Sequence, residues 1–129
     1  MQHELFNLLA ARNGHFRYES GYHSDLWLDL DLLLLHPQTL RPYVSELATK
    51  LARHNPDAIC GPLVGGAIIA NQLAAEMNLE FYYTERFVRP QREGLYPAEY
   101  RLPKGLRQPI HGKNVAIVDD VISAGSAVR

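Results

Sequence analysis

The stretch Asn114-Val-Ala-Ile-Val-Asp-Asp-Val-Ile-Ser-Ala-Gly-Ser-Ala-Val-Arg129 says more about the fold than any other part of this chain. Four apolar residues, 115–118, run directly into the acidic pair Asp119-Asp120. A continuous apolar run with β-branched residues predicts a strand that is buried on both faces and is therefore parallel to its neighbours. In open α/β sheets, ligands bind beyond the carboxyl ends of such strands. We therefore expect a ligand near the two carboxylates.

The small, hydroxyl-rich segment after the acidic pair is suited to holding phosphate. Its backbone N–H groups carry little side-chain bulk, and a helix opening at Ser126 would add donors and a partial positive charge. Ionised carboxylates only accept hydrogen bonds or bind a hard cation. The pattern predicts a site for a phosphorylated sugar, with Mg²⁺ nearby. The alternative, a buried strand ending in a capped helix, leaves two adjacent acids without a compensating partner.

Residues 118–127 resemble the phosphoribosyl-pyrophosphate (PRPP) signature of type I phosphoribosyltransferases, in the version found in orotate phosphoribosyltransferases. Ser123 and Ser126 stand where Thr is usual, and Ser keeps the hydroxyl. The resemblance extends more weakly back to about Phe16. It implies an α/β fold with an open, mostly parallel sheet and flanking helices. Because the chain stops at Arg129, we expect the C-terminal part of the family's fold to be missing, in a fragment or a truncated relative.

Composition excludes several classes of protein. The 129 residues are 47% hydrophobic and 21% charged, which is typical of one soluble domain, and the net charge of −1 gives no field that would recruit nucleic acid. The single cysteine, Cys60, cannot form an intrachain disulfide. The chain start lacks the pattern of a signal peptide, and the apolar run 32–35 is too short to span a bilayer. We expect a cytoplasmic protein with no membrane partner.

Periodicity and turn signals predict the order of elements along one domain, 1–129. Helices are expected at residues 4–12 (ended by Asn13-Gly14), 37–53 and 67–77, and strands at 16–18, 23–30, 58–60, 80–83 and 115–118. Ser20-Gly21 is the expected turn between the first two strands. The resemblance implies a hood and base-pocket segment at 1–35 and a core at 36–129, with a lid at 86–112.

The predicted lid, residues 86–112, lies in the most basic part of the chain. Its prolines, glycines and lack of steady periodicity predict a long loop that contains a short hairpin. A basic lid closing over an anion and a solvated surface loop are both compatible with this composition, and the phosphate segment that follows favours the lid. Between residues 85 and 113 lie seven of the 13 Lys and Arg, namely Arg86, Arg89, Arg92, Arg101, Lys104, Arg107 and Lys113.

A second glycine-rich loop joins the strand predicted at 58–60 to the helix predicted at 67–77. Its sequence is Cys60-Gly-Pro-Leu-Val-Gly-Gly-Ala67, in which glycines allow the backbone to approach an anion closely. A tight strand–helix turn with glycines for packing is the alternative. The resemblance places the pyrophosphate loop of the family here.

The resemblance also implies the role of each site residue. The catalytic candidates are Asp119, Asp120 and Arg86, and the two acids hold the ribose hydroxyls directly or through Mg²⁺ and water. Those for the ribose and the 5′-phosphate are Asp119, Asp120, Val121, Ile122, Ser123, Ala124, Gly125, Ser126 and Ala127. Those for pyrophosphate are Leu63, Val64, Gly65, Gly66, Arg86, Arg89 and Arg92. Those for the base pocket are Glu19, Trp27, Leu28 and Ser123.

The function implied is transfer of the 5-phosphoribosyl group from PRPP to orotate or a related nucleobase, with release of pyrophosphate, in nucleotide biosynthesis or salvage. The family also implies a homodimer. Glu19 stands where the family has Lys, and Gly65 aligns with a Lys of its pyrophosphate loop. These departures leave an alternative open, a non-catalytic PRPP-binding regulatory module.

Overall fold

The computed structural model of the chain describes residues 2–9, 11–18, 21–88, 98–122, 125 and 127–128. Its helices are α1 (Gln2–Leu8), α2 (Leu30–Leu34), α3 (Pro37–Ala52) and α4 (Gly65–Met77), with a 3₁₀ turn at Lys104–Leu106. Its strands are β1 (Arg12–Arg17), β2 (His23–Trp27), β3 (Ala58–Pro62), β4 (Glu80–Val88), β5 (Ala98–Arg101) and β6 (Val115–Ile117).

A four-stranded sheet in the order β5-β4-β3-β6 organises the core. Strand β3 is parallel to both β4 and β6, whereas β5 joins the far edge antiparallel to β4. All five residues of β3 are buried, as expected for the central strand of such a sheet. The predicted α/β class with a mostly parallel sheet is thereby confirmed.

Helices α3 and α4 cover one face of this sheet. The helix predicted at 37–53 is confirmed as α3, and it carries an apolar stripe in which Leu40, Val44 and Ala48 are buried and share one side at helical spacing. They pack with Ile59 of β3 and Leu73 of α4, both of which are fully buried. Each large side chain buried in this way stabilises the fold by about 1.5–3 kcal/mol.

The segment after β5 covers the opposite face of the sheet. Tyr82 and Cys60 are buried there, and Leu102, Leu106 and Ile110 pack against them. These three residues belong to the predicted lid, yet their apolar side chains lie on the sheet. Residues 102–110 are thus part of the hydrophobic packing that holds the sheet.

The predicted helix at residues 4–12 is wrong at its C-terminal end. Helix α1 stops at Leu8, and Asn13-Gly14 lies inside β1 instead of capping the helix. Asn13 pairs with Leu26 of β2, and the register shifts before Phe16, which marks a bulge. An Asn-Gly pair suits a helix cap or an irregular strand equally well, and here the cross-strand pairing determines the outcome.

Of the turn predicted at Ser20-Gly21, Gly21 has a positive φ of 93° and its N–H donates to the Tyr18 carbonyl at 3.0 Å, while Ser20 lies outside the described residues. The strand predicted at 23–30, however, ends at Trp27, and α2 begins at Leu30. Leucines alternate with Trp27 and aspartates in this stretch, as in a strand. The leucines from Leu30 onward nevertheless form a helix, because Leu33 is buried in the core that α3 and α4 form. Tertiary burial overrides the local period-2 pattern at this point.

The strand predicted at 115–118 is present as β6, but it is not buried on both faces. Ile117 is 52% exposed, because β6 is the edge strand of the sheet among the described residues. Val118 is buried, and its N–H extends the ladder by donating to the Cys60 carbonyl at 2.9 Å. The strand is parallel, as predicted, but it occupies an edge.

Strand β4 runs further than residues 80–83 and reaches Val88, which pairs with Ala98 of β5. The hairpin expected in the lid is therefore confirmed, and Arg86 lies in a strand. The loop between the two strands, residues 89–97, lies outside the described residues. No helix in the described ranges is long and apolar enough to cross a membrane.

Candidate functional site

The two loops singled out from the sequence meet at one edge of the sheet. A Cβ atom added at Gly65 would lie 2.1 Å from Asp120 Oδ2, and one added at Gly66 would lie 2.7 Å from Asp119 Oδ1. Real Cβ atoms do not come this close to other atoms. The acidic pair is therefore packed directly against the first turn of α4, and the glycines make that approach possible.

Parallel pairing is what brings these residues together. Cys60 of β3 pairs with Ile117 of β6, so both strands end at the same edge. Strand β3 continues through Pro62 into the loop that starts α4 at Gly65, and β6 continues into the acidic pair. Sites of open α/β sheets lie at this edge for the same topological reason.

The carboxylates are held by their own backbone. Asp119 Oδ1 accepts the Asp120 N–H at 2.9 Å, and Asp120 Oδ1 accepts the Val121 N–H at 3.0 Å. The pKa of Asp119 is raised from 3.8 to about 7, chiefly by burial and then by the neighbouring Asp120 carboxyl, while the hydrogen bond from the Asp120 N–H opposes the rise. Neither carboxylate forms an ion pair with a cationic side chain in the described part of the chain. The pair is thus suited to receive hydroxyl donors or a cation.

The loop Leu63–Val64 lies between β3 and α4 with both side chains exposed, Leu63 by 42% and Val64 by 69%. The peptide bond between them is cis. Leu63 N–H donates to the Thr84 carbonyl at 2.9 Å, which ties the loop to the middle of β4. Arg86 follows Thr84 by two residues on the same strand and therefore on the same face. The structure brings this predicted pyrophosphate segment, Arg86 and the acidic pair to one edge.

Thr84 is a candidate that sequence reasoning missed. Its hydroxyl is buried and has no hydrogen-bond partner among the described residues. The backbone carbonyl of the same residue accepts the Leu63 N–H. Its position directly after the strand predicted at 80–83 was the signal available. A buried hydroxyl without a partner is rare enough to mark a place where a water or ligand oxygen is accommodated.

The rest of the predicted phosphate segment is only partly described. Val121 and Ile122 are exposed, and Gly125 adopts a positive φ of 82° in a turn closed by Val128 N–H donating to its carbonyl at 3.3 Å. Ala127 lies in that turn. The predicted site residues that lie outside the described ones are Ser123, Ala124, Ser126, Glu19, Arg89 and Arg92.

The two described residues of the predicted base pocket have different surroundings. Trp27 stays on the β1–β2 hairpin, with its ring 5.6 Å from that of Phe16 and 6.4 Å from that of Tyr18. Leu28 packs against the hydrophobic core. Trp27, being partly exposed at 37%, is the better placed of the two to meet a planar ligand, and the base-pocket role of both stays a prediction.

The donor set at this edge fits a Mg²⁺ ion that arrives with its ligand. Mg²⁺ binds through one or two carboxylates together with substrate phosphates and water. Asp119 and Asp120 supply two such carboxylates, and no cluster of three or more metal-ligating side chains occurs in the described residues. When bound, the ion would neutralise phosphate charge.

Comparisons with known proteins identify a family that the chain resembles. A phosphoribosyl transferase domain matches residues 35–129. The orotate phosphoribosyltransferase of a Thermoanaerobacter species is 32% identical over 127 residues, covering 98% of this chain and 62% of that protein. Its counterpart in Caldanaerobacter subterraneus is 31% identical over 129 residues with the same coverages. The chain thus spans 62% of the length of these two relatives.

Solved structures resemble the chain over nearly its whole length. The crystal structure of orotate phosphoribosyltransferase from Aeropyrum pernix superposes with a TM-score of 0.66 at 22% identity, covering 99% of this chain and 68% of that one. At that identity the likeness concerns the fold alone. Leishmania donovani UMP synthase matches with a TM-score of 0.61 at 31% identity, covering 95% of this chain and 25% of that one.

Proposed function

The chain belongs to the phosphoribosyl transferase domain family, and on that premise we propose that it binds PRPP and transfers the 5-phosphoribosyl group to orotate or a related nucleobase. The observation that carries the proposal is the contact between the acidic pair and the Gly65–Gly66 turn. Orotate phosphoribosyltransferases are among the chain's relatives, which supports orotate as the first acceptor to test.

The contact between the acidic pair and the Gly65–Gly66 turn suits the chemistry of PRPP. Its pyrophosphate is attached at the anomeric carbon, next to the carbon that bears the 2-hydroxyl. A protein that binds both groups must therefore place hydroxyl acceptors beside anion donors. Asp119 and Asp120 supply the acceptors, and the first turn of α4 supplies N–H groups and the positive end of a helix dipole. We assign the ribose hydroxyls to the acids and pyrophosphate to Leu63–Gly66.

The 5′-phosphate lies at the other end of the ribose. We assign it to residues 121–127, the small, hydroxyl-rich segment that directly follows the acidic pair. We propose that Mg²⁺ bridges the acids and the pyrophosphate. Arg86, on β4 beside the pyrophosphate loop, is assigned to the leaving group together with Arg89 and Arg92.

The proposed reaction is a displacement at the anomeric carbon. A ring nitrogen of the base forms the new bond while the carbon–oxygen bond to pyrophosphate breaks, and the bonding electrons leave with pyrophosphate. The sugar passes through a transition state with oxocarbenium character. The protein contributes position and charge, and one well-placed donor to the leaving group lowers the barrier by roughly 3 kcal/mol.

PRPP affinity is expected to rise about tenfold between pH 6 and pH 8, because the pKa of Asp119 is about 7 and its ionised form is the stronger acceptor of ribose hydroxyls and the form that binds Mg²⁺. Calorimetric titration at constant Mg²⁺ measures the PRPP affinity at each pH. Because the 5′-phosphate of PRPP also titrates near pH 6, Asp119→Asn is the matched control that shows the contribution of the ligand alone. The pH dependence of the variant should be the weaker one, and equal slopes for both chains would refute the assignment.

The raised pKa of Asp119 can also be tested through the stability of the chain without ligand. Its folded pKa lies above the unfolded value of 3.8, so its contribution to stability is complete below about pH 4 and is lost as pH rises through 7. Asp119→Asn should therefore be more stable than the parent chain at pH 8, with a smaller difference at pH 5. Urea denaturation at the two pH values tests this.

Pyrophosphate release distinguishes the transferase from the regulatory module. We expect the chain with PRPP and Mg²⁺ to release pyrophosphate when orotate or another base of a pyrimidine and purine panel is added, and much more slowly without a base. The coupled phosphate assay measures this release. Tight PRPP binding with no base-dependent release would instead support a non-catalytic PRPP-binding module.

We further propose that the protein works as a homodimer in the cytoplasm. Free, buried Cys60 agrees with a reducing compartment. Sedimentation of the chain with and without PRPP tests the dimer, and a monomer at all concentrations in both states would contradict it.

A further inference from the structure

A histidine pair spans the β1–β2 hairpin, outside the sheet edge that holds the acidic pair. His15 Nε2 and His23 Nδ1 are 2.8 Å apart, and the two ring centroids are 4.9 Å apart at an interplanar angle of 48°. Both residues are exposed. We propose that this pair is a binding site for a divalent transition metal of the Cu²⁺ or Ni²⁺ type.

Imidazole nitrogen chemistry supports a metal at this point. In the hydrogen bond between the rings one nitrogen carries a proton and the other offers its lone pair. A metal ion takes the place of that proton, which moves to the other nitrogen of the same ring, and the ion accepts a lone pair from each of the two facing nitrogens. Because both rings are exposed, small rotations about their side-chain bonds suffice to aim the two lone pairs at one ion.

The separation of the nitrogens selects among metals. With metal–nitrogen bonds of about 2.0–2.1 Å, nitrogens 2.8 Å apart subtend an angle of about 85–90° at the metal. Two ligands at a right angle are cis positions of a square-planar or octahedral ion, the geometry of Cu²⁺ and Ni²⁺. A tetrahedral Zn²⁺ ion needs nitrogens about 3.3 Å apart at the same bond length. Cu²⁺ and Ni²⁺ therefore need only rotation of the two rings at about their present separation, whereas Zn²⁺ also needs the nitrogens to move apart by about 0.5 Å. The site should for this reason prefer Ni²⁺ and Cu²⁺ over Zn²⁺.

The described residues offer no third metal-ligating side chain here, so water completes the coordination. Since His15 belongs to β1 and His23 to β2, a bound ion links the two strands. Trp27, four residues after His23, is the last residue of the same strand β2. An ion at the pair therefore stiffens the hairpin that carries the aromatic cluster of Trp27, Phe16 and Tyr18.

Trp27 is also the only tryptophan of the chain, which makes its fluorescence a reporter. Titration of the His3→Ala chain with NiCl₂ and with CuCl₂ at pH 8 should quench this fluorescence and saturate at one ion per chain. His15→Ala and His23→Ala should each weaken binding by at least about tenfold, in line with the loss of a ligand. All variants carry His3→Ala, because a histidine near a chain terminus can itself bind these ions.

Matched controls are His54→Ala and His111→Ala, which should leave Ni²⁺ affinity unchanged. Unaltered affinity in His15→Ala and His23→Ala, or tighter binding of Zn²⁺ than of Ni²⁺, overturns the proposal. Paramagnetic broadening of amide NMR signals in the His3→Ala chain, whose hairpin is unaltered, gives an answer that does not depend on the hairpin variants folding. We expect the signals of residues 15 and 23 to broaden first, and broadening that starts elsewhere overturns the proposal as well.

Discussion

Asp119→Asn/Asp120→Asn is expected to abolish Mg²⁺-dependent PRPP binding, with affinity lowered by at least about 100-fold. Each hydrogen bond to a charged group contributes about 1.5–3 kcal/mol, and the double substitution removes the charge behind two such bonds. Both carboxylates already lie against the Gly65–Gly66 turn, so no rearrangement is needed to present them to a ligand. Calorimetric titration with PRPP and Mg²⁺ measures the loss.

A control with the same change in net charge makes this result specific. Asp31→Asn/Glu76→Gln neutralises two exposed acids outside the sheet edge and should leave PRPP affinity within about twofold, because exposed charges are strongly screened. Circular dichroism of both variants checks that they fold. If the acidic-pair variant binds PRPP as tightly as the parent chain, the sugar is held elsewhere and the proposed function loses its main support.

Gly61→Ala is expected to lower the free energy of unfolding by about 3 kcal/mol or more. An added Cβ would lie 2.2 Å from the Gly66 carbonyl oxygen and 2.5 Å from its carbon. Both atoms are backbone, so relief requires β3 and α4 to separate at the point where they form the core. Overpacking of this kind typically costs 1–3 kcal/mol, and more where the neighbours cannot give way. Urea denaturation followed by circular dichroism measures the change.

Gly105→Ala is the matched control for this prediction. An added Cβ at Gly105 meets nothing within 4 Å, so the free energy of unfolding should change by no more than about 0.5 kcal/mol. Equal stability of the two variants would mean that β3 and α4 are less closely packed than the distances at Gly61 indicate. A loss confined to Gly61→Ala confirms the tight strand–helix contact that positions the first turn of α4.

Local patterns in the sequence were sufficient for the centre of the fold. The apolar stripe of α3, the short strand at 58–60 and the apolar run before Asp119 each have a period or composition that only one element satisfies. Their order, alternating strands and helices, implies parallel pairing and so places strand ends together. The acidic pair is a site candidate on that basis, whereas the second glycine loop becomes one only together with the acidic pair and the family resemblance.

Ambiguous local signals account for the errors. Asn13-Gly14 suits a helix cap and a strand bulge equally well, and the leucines after Trp27 fit an alternating strand as well as the helix that α2 forms. The apolar residues Leu102, Leu106 and Ile110 lie among prolines, glycines and basic residues, and this composition predicts a loop. Only burial against Cys60 and Tyr82 gives them a packing role.

The sequence alone predicts the central strand–helix unit and the chemistry of the residues at its end. The tertiary structure alone decided that Asp120 lies against Gly65, that residues 102–110 cover the sheet, and that His15 faces His23. The physical reason is that periodicity and turn chemistry act between near neighbours, whereas these contacts join residues that only strand pairing brings together. Which side chains meet across strands depends on register and on burial summed over the whole chain.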